Sequence, residues 1–294
     1  FPYTTLFRSY AFTEEEQEVM NSLEASILNS DKLQEHIRFL YSHGALYTKA
    51  NGNLLYHGCI PMTDEGEFEE VEINGSRYKG KGLMDYLDDQ VRKAYFSPSE
   101  AKESGRLGDL MWYLWLGGNS PLFGKDKMTT FERLFIADKA SHKEHVRPYY
   151  KLIKERGPCE KILREFGLDP SRSKILNGHV PVKIKDGESP IKGGGLLYVI
   201  DGGISKAYQK QTGIAGYTFI FNSRFMALAE HKPYKPLKED GTQEFQSPVV
   251  KTVEVLPERM MVLDTDQGVE LVEQVDNIKQ LVEAYRKGII KEQY

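Results

Sequence analysis

His57 in LLYHGCIP and His179 in KILNGHVPV share one local grammar: a short apolar run, a histidine beside a glycine, and a proline soon after. An imidazole at a strand end projects into a loop cleft, where its neutral nitrogen can ligate a metal. Two such histidines suit one ion when oxygen ligands complete the shell. The alternative is a hydrogen-bonded histidine at each strand edge. Asp201 in LLYVIDGG also ends an apolar run, and its carboxylate either orients a ligating histidine or serves as a turn residue. Lys125 and Lys127 flank Asp126 in GGNSPLFGKDKM. Two cations beside flexible glycines can clamp a phosphate, and otherwise form a solvated loop. His142 and His145, with Asp138 and Glu144, have helix-compatible metal spacing but read as a charged solvated face. His36 and His43 read as the surface or end of a helix, and His231 as exposed beside a turn.

The bulk properties narrow the chemistry. A chain of 294 residues can bury a substantial core. Its 39 basic and 43 acidic residues give a net charge of −4, with no basic stripe for nucleic-acid phosphate. Any phosphate must therefore be met by a few placed cations. Two cysteines, Cys59 and Cys159, make no disulfide framework and no zinc-site spacing, which suits a reducing cytoplasm. No apolar run reaches the length of a membrane span, and no secretory signal stands at the start, so export is not expected.

The elements that would hold these residues can be read in order. Thr13, followed by Glu16 three residues on, predicts a capped helix to Leu28, and a second helical pattern covers Ser30 to His43. Asn51-Gly52 and Asn74-Gly75 predict hairpins, and KGLMDYLDDQVRKAYF returns to helical spacing. MWYLWL reads as a buried strand before a long functional loop, and Tyr149 to Phe166 as one helix stopped at Gly167. Short strands and turns follow, with the glycines at 193–195 as a turn. A closing helix is expected from about Gln274 to Lys287. The elements do not alternate strictly, which disfavours a doubly wound dinucleotide fold.

Several long motifs together resemble one family. LYHGCIPM, MWYLWLGGNSPLFGKDKMTTFER, ILNGHVPVK, GESPIK, LLYVIDGGISKAYQKQTGIAGYTFIFNS and the DTDQG at Asp264 are similar to the C-terminal half of bacterial class III fructose-1,6-bisphosphatases. The resemblance runs from about residue 10 to the end. It implies an α/β (α+β) fold, the C-terminal half of a calcineurin-like metallophosphatase sandwich of two mixed β-sheets flanked by helices. It also implies a two-metal, manganese-supported phosphatase that removes the 1-phosphate of fructose 1,6-bisphosphate in gluconeogenesis. Carried over, His57 and His179 ligate the same metal, Asp201 lies in the superfamily's closing strand, and Lys125 and Lys127 lie where phosphate contacts often arise. A bisphosphate needs a second anion site, for which Arg133, Lys183, Lys192, Lys206 and Lys210 are candidates.

The departures from that pattern shape the expectation. The superfamily's Asp-x-His, Gly-Asp-x-x-Asp-Arg-Gly and Gly-Asn-His motifs do not occur in this sequence, so the chain carries two ligands of one metal and no catalytic residue. The opening FPYTTLFRS resembles one translated frame of a common sequencing adapter. Residues 1–9 are then expected to be non-native, and 10–294 to be the C-terminal part of one domain, inactive alone. The expected partners are a small sugar bisphosphate, the N-terminal half of the same protein and further copies of the chain, without nucleic acid or membrane. Two rivals are a calcineurin-like phosphatase for another phosphomonoester and a non-catalytic regulatory or assembly half.

Overall fold

The computed structural model describes residues 11–97, 106–203, 205, 210, 212–213, 216–232, 238, 241–242 and 247–291. The adapter-like residues 1–9 and Lys206 lie outside them. In chain order come helices α1 (Glu14–Leu28) and α2 (Asp31–His43), then strands β1 (Tyr47–Ala50), β2 (Asn53–Tyr56), β3 (Val71–Ile73) and β4 (Ser76–Tyr78). Helices α3 (Gly80–Phe96), α4 (Arg106–Leu116), α5 (Thr130–Phe135), α6 (Tyr149–Leu152) and α7 (Arg156–Glu165) follow. Strands β5 (Ile175–Asn177), β6 (Ile191–Lys192), β7 (Leu197–Val199), β8 (Gly216–Phe221), β9 (Phe225–His231) and β10 (Val249–Val255) precede the closing helix α8 (Asp266–Arg286). The protein is a mixed α/β chain.

A five-stranded mixed sheet in the order β1-β2-β5-β7-β6 holds the centre. Strands β2, β5 and β7 run parallel, and every residue of β5 and β7 is buried. That burial on both faces is what parallel strands require. Helices α3 and α7 bury Leu83, Met84, Leu87, Cys159, Ile162 and Leu163 in the same core. The meander β10-β9-β8 forms a separate antiparallel sheet, and β3-β4 a small ribbon. Both Asn-Gly pairs have positive φ at each residue, the conformation of a two-residue hairpin turn. The box at Thr13 forms as read: Glu16 N–H donates to Thr13 Oγ1, and Thr13 N–H to the Glu16 carboxylate.

Three elements differ from the sequence reading. MWYLWL lies in helix α4, where Leu110 and Leu114 pack inward while Trp112 and Trp115 remain 57% and 58% exposed. Its apolar run hid a four-residue repeat. The single helix expected over 149–166 is two pieces, α6 and α7, because Pro158 would clash with the carbonyl of residue 154 in a continuous helix. Helix α8 begins two turns earlier than expected: Gly268 N–H donates to Thr265 Oγ1, and Asn51 and Asp266 exchange two hydrogen bonds, of 2.6 and 3.1 Å. The turn at 193–195 is as expected, with positive φ at all three glycines.

Candidate functional site

Because β2, β5 and β7 are parallel, their C-terminal ends share one edge of the sheet. His57 follows β2 directly, His179 follows β5 by one intervening residue, and Asp201 follows β7 by one. The backbones stay paired past the strands: Gly178 N–H donates to the His57 carbonyl at 2.8 Å, and Ile200 N–H to the Asn177 carbonyl at 2.9 Å. Gly58 then turns the chain against the loop at 117–124. A Cβ there would lie 2.4 Å from the Pro121 carbonyl oxygen, so this approach requires glycine.

The two histidines meet. His57 Nε2 and His179 Nδ1 are 3.1 Å apart. His179 Nε2 lies 2.7 Å from the Phe123 carbonyl oxygen, which can only accept, so Nε2 carries the proton and Nδ1 presents its lone pair. Burial lowers the pKa of His57, the nearby His179 ring further disfavours a second proton there, and Asp201 opposes both. His179 has φ +66, a left-handed conformation that is uncommon for a side chain of this size.

Beneath the pair lies a buried polar cluster the sequence did not announce. Tyr149 OH accepts from Asn177 Nδ2 at 2.8 Å and shares a hydrogen bond with Tyr56 OH at 2.6 Å. Asn177 Nδ2 also donates to the Gly58 carbonyl at 3.1 Å. Tyr56 precedes His57 and Asn177 precedes Gly178-His179, so one tyrosine hydroxyl ties together the two strands that carry the imidazoles. The only hint was an asparagine and two tyrosines inside apolar runs.

Asp201 serves a turn. Its Oδ1 accepts from Gly203 N–H at 2.8 Å, and no hydrogen bond joins it to either histidine among the described residues. A cavity of about 600 Å³ opens beside the pair, walled by His57 and His179 with apolar residues including Met111, Leu114, Leu122 and Phe123. Lys125 and Lys127 do not line it. The Lys125 amine pairs with Glu144 at 2.7 Å, and the Lys127 amine donates to the Ser141 carbonyl at 3.2 Å. The charged face expected over 138–145 is neither helical nor fully solvated, since the Glu144 side chain is only 15% exposed. Its Oε1 accepts from both the N–H and the hydroxyl of Thr129. His142 Nε2 bonds the Ile136 carbonyl, and His231 Nε2 bonds Thr218 Oγ1 instead of facing solvent alone. Among the described residues no group of three or more His, Cys, Asp or Glu could hold a metal.

Burial pushes the Glu144 carboxyl up, but the Lys125 and Thr129 hydrogen bonds outweigh it and hold the pKa at about 2, below the ordinary 4.5. A lowered carboxylate pKa adds stability above the unfolded value, and that stability is lost as pH falls from about 4.5 toward 2. Glu144→Gln is expected to cost about 1–3 kcal/mol at neutral pH and to flatten that part of the acid limb in urea denaturation. An unchanged acid limb would show that the pair contributes nothing.

The fold and its paired imidazoles define a class: a mixed α/β protein that brings two histidines together at the C-terminal ends of parallel strands, the edge where such sheets gather their ligands. A family model described as Firmicute fructose-1,6-bisphosphatase matches residues 1–287. Curated relatives agree. The class 3 fructose-1,6-bisphosphatase of Clostridium botulinum (strain Langeland) is 48% identical over 296 residues, covering 100% of this chain and 44% of the relative. That of Clostridioides difficile (strain 630) is 49% identical over 286 residues, covering 96% and 43%, and one from Clostridium beijerinckii is 49% identical over 296, covering 100% and 44%. The chain belongs to the Firmicute class 3 fructose-1,6-bisphosphatase family. It spans about 44% of the length of the relatives it matches. No solved structure matches it, and among the described residues no helix is long and apolar enough to cross a membrane.

Proposed function

We propose that this chain contributes two metal-ligating histidines to a calcineurin-like phosphatase that hydrolyses fructose 1,6-bisphosphate to fructose 6-phosphate and phosphate in the cytoplasm. The observation that carries this reading is the His57–His179 contact. Adjacent donors on one ion, with bonds of about 2.0–2.1 Å, stand roughly 2.9–3.4 Å apart, and the two nitrogens are 3.1 Å apart. The Phe123 carbonyl holds the outer nitrogen of His179 in the manner of the outer partner that fixes a ligating imidazole. His57 needs only to move its proton to Nδ1 to offer its own lone pair. The pair fits part of a shell for one manganese ion, and no described group of three or more His, Cys, Asp or Glu stands elsewhere for a second.

When bound, the metal pair would polarise the phosphoryl group and generate the nucleophile at neutral pH. The residues of this chain do the positioning. The Tyr56–Tyr149–Asn177 cluster holds the two strand ends in register, and apolar residues of the cavity wall the imidazoles on one side. Lys127 is exposed and weakly engaged, so it meets a phosphate more readily than Lys125, which must first give up Glu144. The proposed macromolecular partner is the remainder of the relatives' length, supplying the carboxylate ligands. Its other service is to cover Trp112, Trp115 and the apolar residues Phe39 and Leu40, exposed by 64% and 61%.

A substrate panel on the full-length protein with manganese tests the reading. The expected result is a kcat/KM for fructose 1,6-bisphosphate at least about tenfold above that for nucleotides and phosphoproteins. Preference for either of the others would replace the substrate.

A further inference from the structure

The turn at residues 117–124 touches both histidine-bearing segments. Its Pro121 carbonyl accepts from Cys59 N–H at 2.9 Å, two residues after His57, and its Phe123 carbonyl lies 2.7 Å from His179 Nε2. Whatever orients these two carbonyls sets one imidazole against the other.

Ser120 reaches both of the peptide groups concerned. No peptide bond among the described residues is cis, so the N–H and C=O of each point to opposite sides of one plane. The plane that carries the Pro121 carbonyl also carries Leu122 N–H, which donates to Ser120 Oγ at 3.2 Å. The plane that carries the Phe123 carbonyl also carries Gly124 N–H, which donates to the Ser120 carbonyl at 3.2 Å. One residue thus grips the far side of both planes.

Ser120 is itself firmly held. It is 0% exposed, its N–H donates to the Gly117 carbonyl at 3.0 Å, and its hydroxyl donates to the Leu114 carbonyl. Leu114 lies in the last turn of α4, whose carbonyls have no partner inside the helix. The hydroxyl therefore gives its proton to the helix end and its lone pair to the turn. Alanine at this position would strand the Leu114 carbonyl and Leu122 N–H, and the plane of the Pro121 carbonyl would be free to rotate.

We propose that Ser120 is a positioning residue for the imidazole pair. Through its hydroxyl it orients the peptide that holds the segment after His57, and through its carbonyl the peptide that holds the His179 ring. The proposal rests on the metal-ligating role assigned above to the two histidines and adds the residue that keeps their nitrogens at ligand spacing.

Manganese titration of the full-length protein tests it. Ser120→Ala is expected to weaken manganese binding roughly ten- to a hundredfold, the range found for outer partners of ligating histidines. At saturating manganese, KM for fructose 1,6-bisphosphate should stay within about twofold of wild type, because no substrate contact is removed. Ser120→Cys keeps a weak donor in similar volume and should recover part of the lost affinity; it carries the same test if circular dichroism shows the alanine variant unfolded. In the 294-residue chain, Ser120→Ala should speed amide hydrogen exchange at Cys59. A hydroxyl that only caps α4 would lower the melting temperature and leave manganese affinity at the wild-type value, and that result overturns the proposal. Retained affinity in Ser120→Ala beside metal loss in His179→Asn overturns the positioning role alone, whereas full metal loading in both variants overturns the metal reading and this proposal with it.

Discussion

Supplied with manganese and fructose 1,6-bisphosphate, the purified 294-residue chain is expected to release phosphate no faster than the metal-containing buffer. Two imidazoles are neutral donors. They add no negative charge to hold a pair of dications, and they cannot bridge two ions. Enzymes typically lower barriers by about 8–23 kcal/mol, and phosphate monoester hydrolysis demands more still, so the ions that clamp the transferring oxygens and generate the nucleophile are indispensable. The sequence has no Asp-x-His, Gly-Asp-x-x-Asp-Arg-Gly or Gly-Asn-His motif, and no described cluster of three or more ligands replaces them. Phosphate release that rises with chain concentration and stops with a chelator would contradict this expectation.

In the full-length protein, His179→Asn is expected to lower kcat by roughly a hundred- to a thousandfold, the equivalent of about 3–4 kcal/mol, with a matching fall in bound manganese. Asparagine is chosen because it tolerates the left-handed backbone that His179 occupies at φ +66. The fold should survive, leaving the loss chemical. His57→Ala should behave alike, since its nitrogen is the other member of the 3.1 Å pair. Metal content by elemental analysis separates ligand loss from misfolding, which circular dichroism would reveal. Wild-type turnover and full metal loading in either variant would remove the histidines from the site.

Much of the site's framework could be read from local grammar. His57 and His179 were visible because an apolar run followed by His-Gly or Gly-His marks a strand end, and parallel pairing then brings such ends together. Both hairpins and the first helix were legible because Asn-Gly and a Thr-x-x-Glu box act within a few residues. What escaped depends on distant partners. Glu144 reads as solvated until Lys125 and Thr129 fold around it. Tyr149 looks like one more core aromatic until residues 56 and 177 reach its hydroxyl. The MWYLWL helix was misread because tryptophans that stay exposed count as apolar in any sequence pattern.

On the proposed metal role, the left-handed backbone at His179 sets folding against function at a single residue. A left-handed histidine costs the native state roughly 1–2 kcal/mol that glycine would recover, yet glycine has no nitrogen to offer. A laboratory lineage propagated for heat resistance alone would drift toward glycine there and arrive at a sturdier, silent protein. Thermostabilised descendants of this family therefore have to be selected on turnover as well as survival.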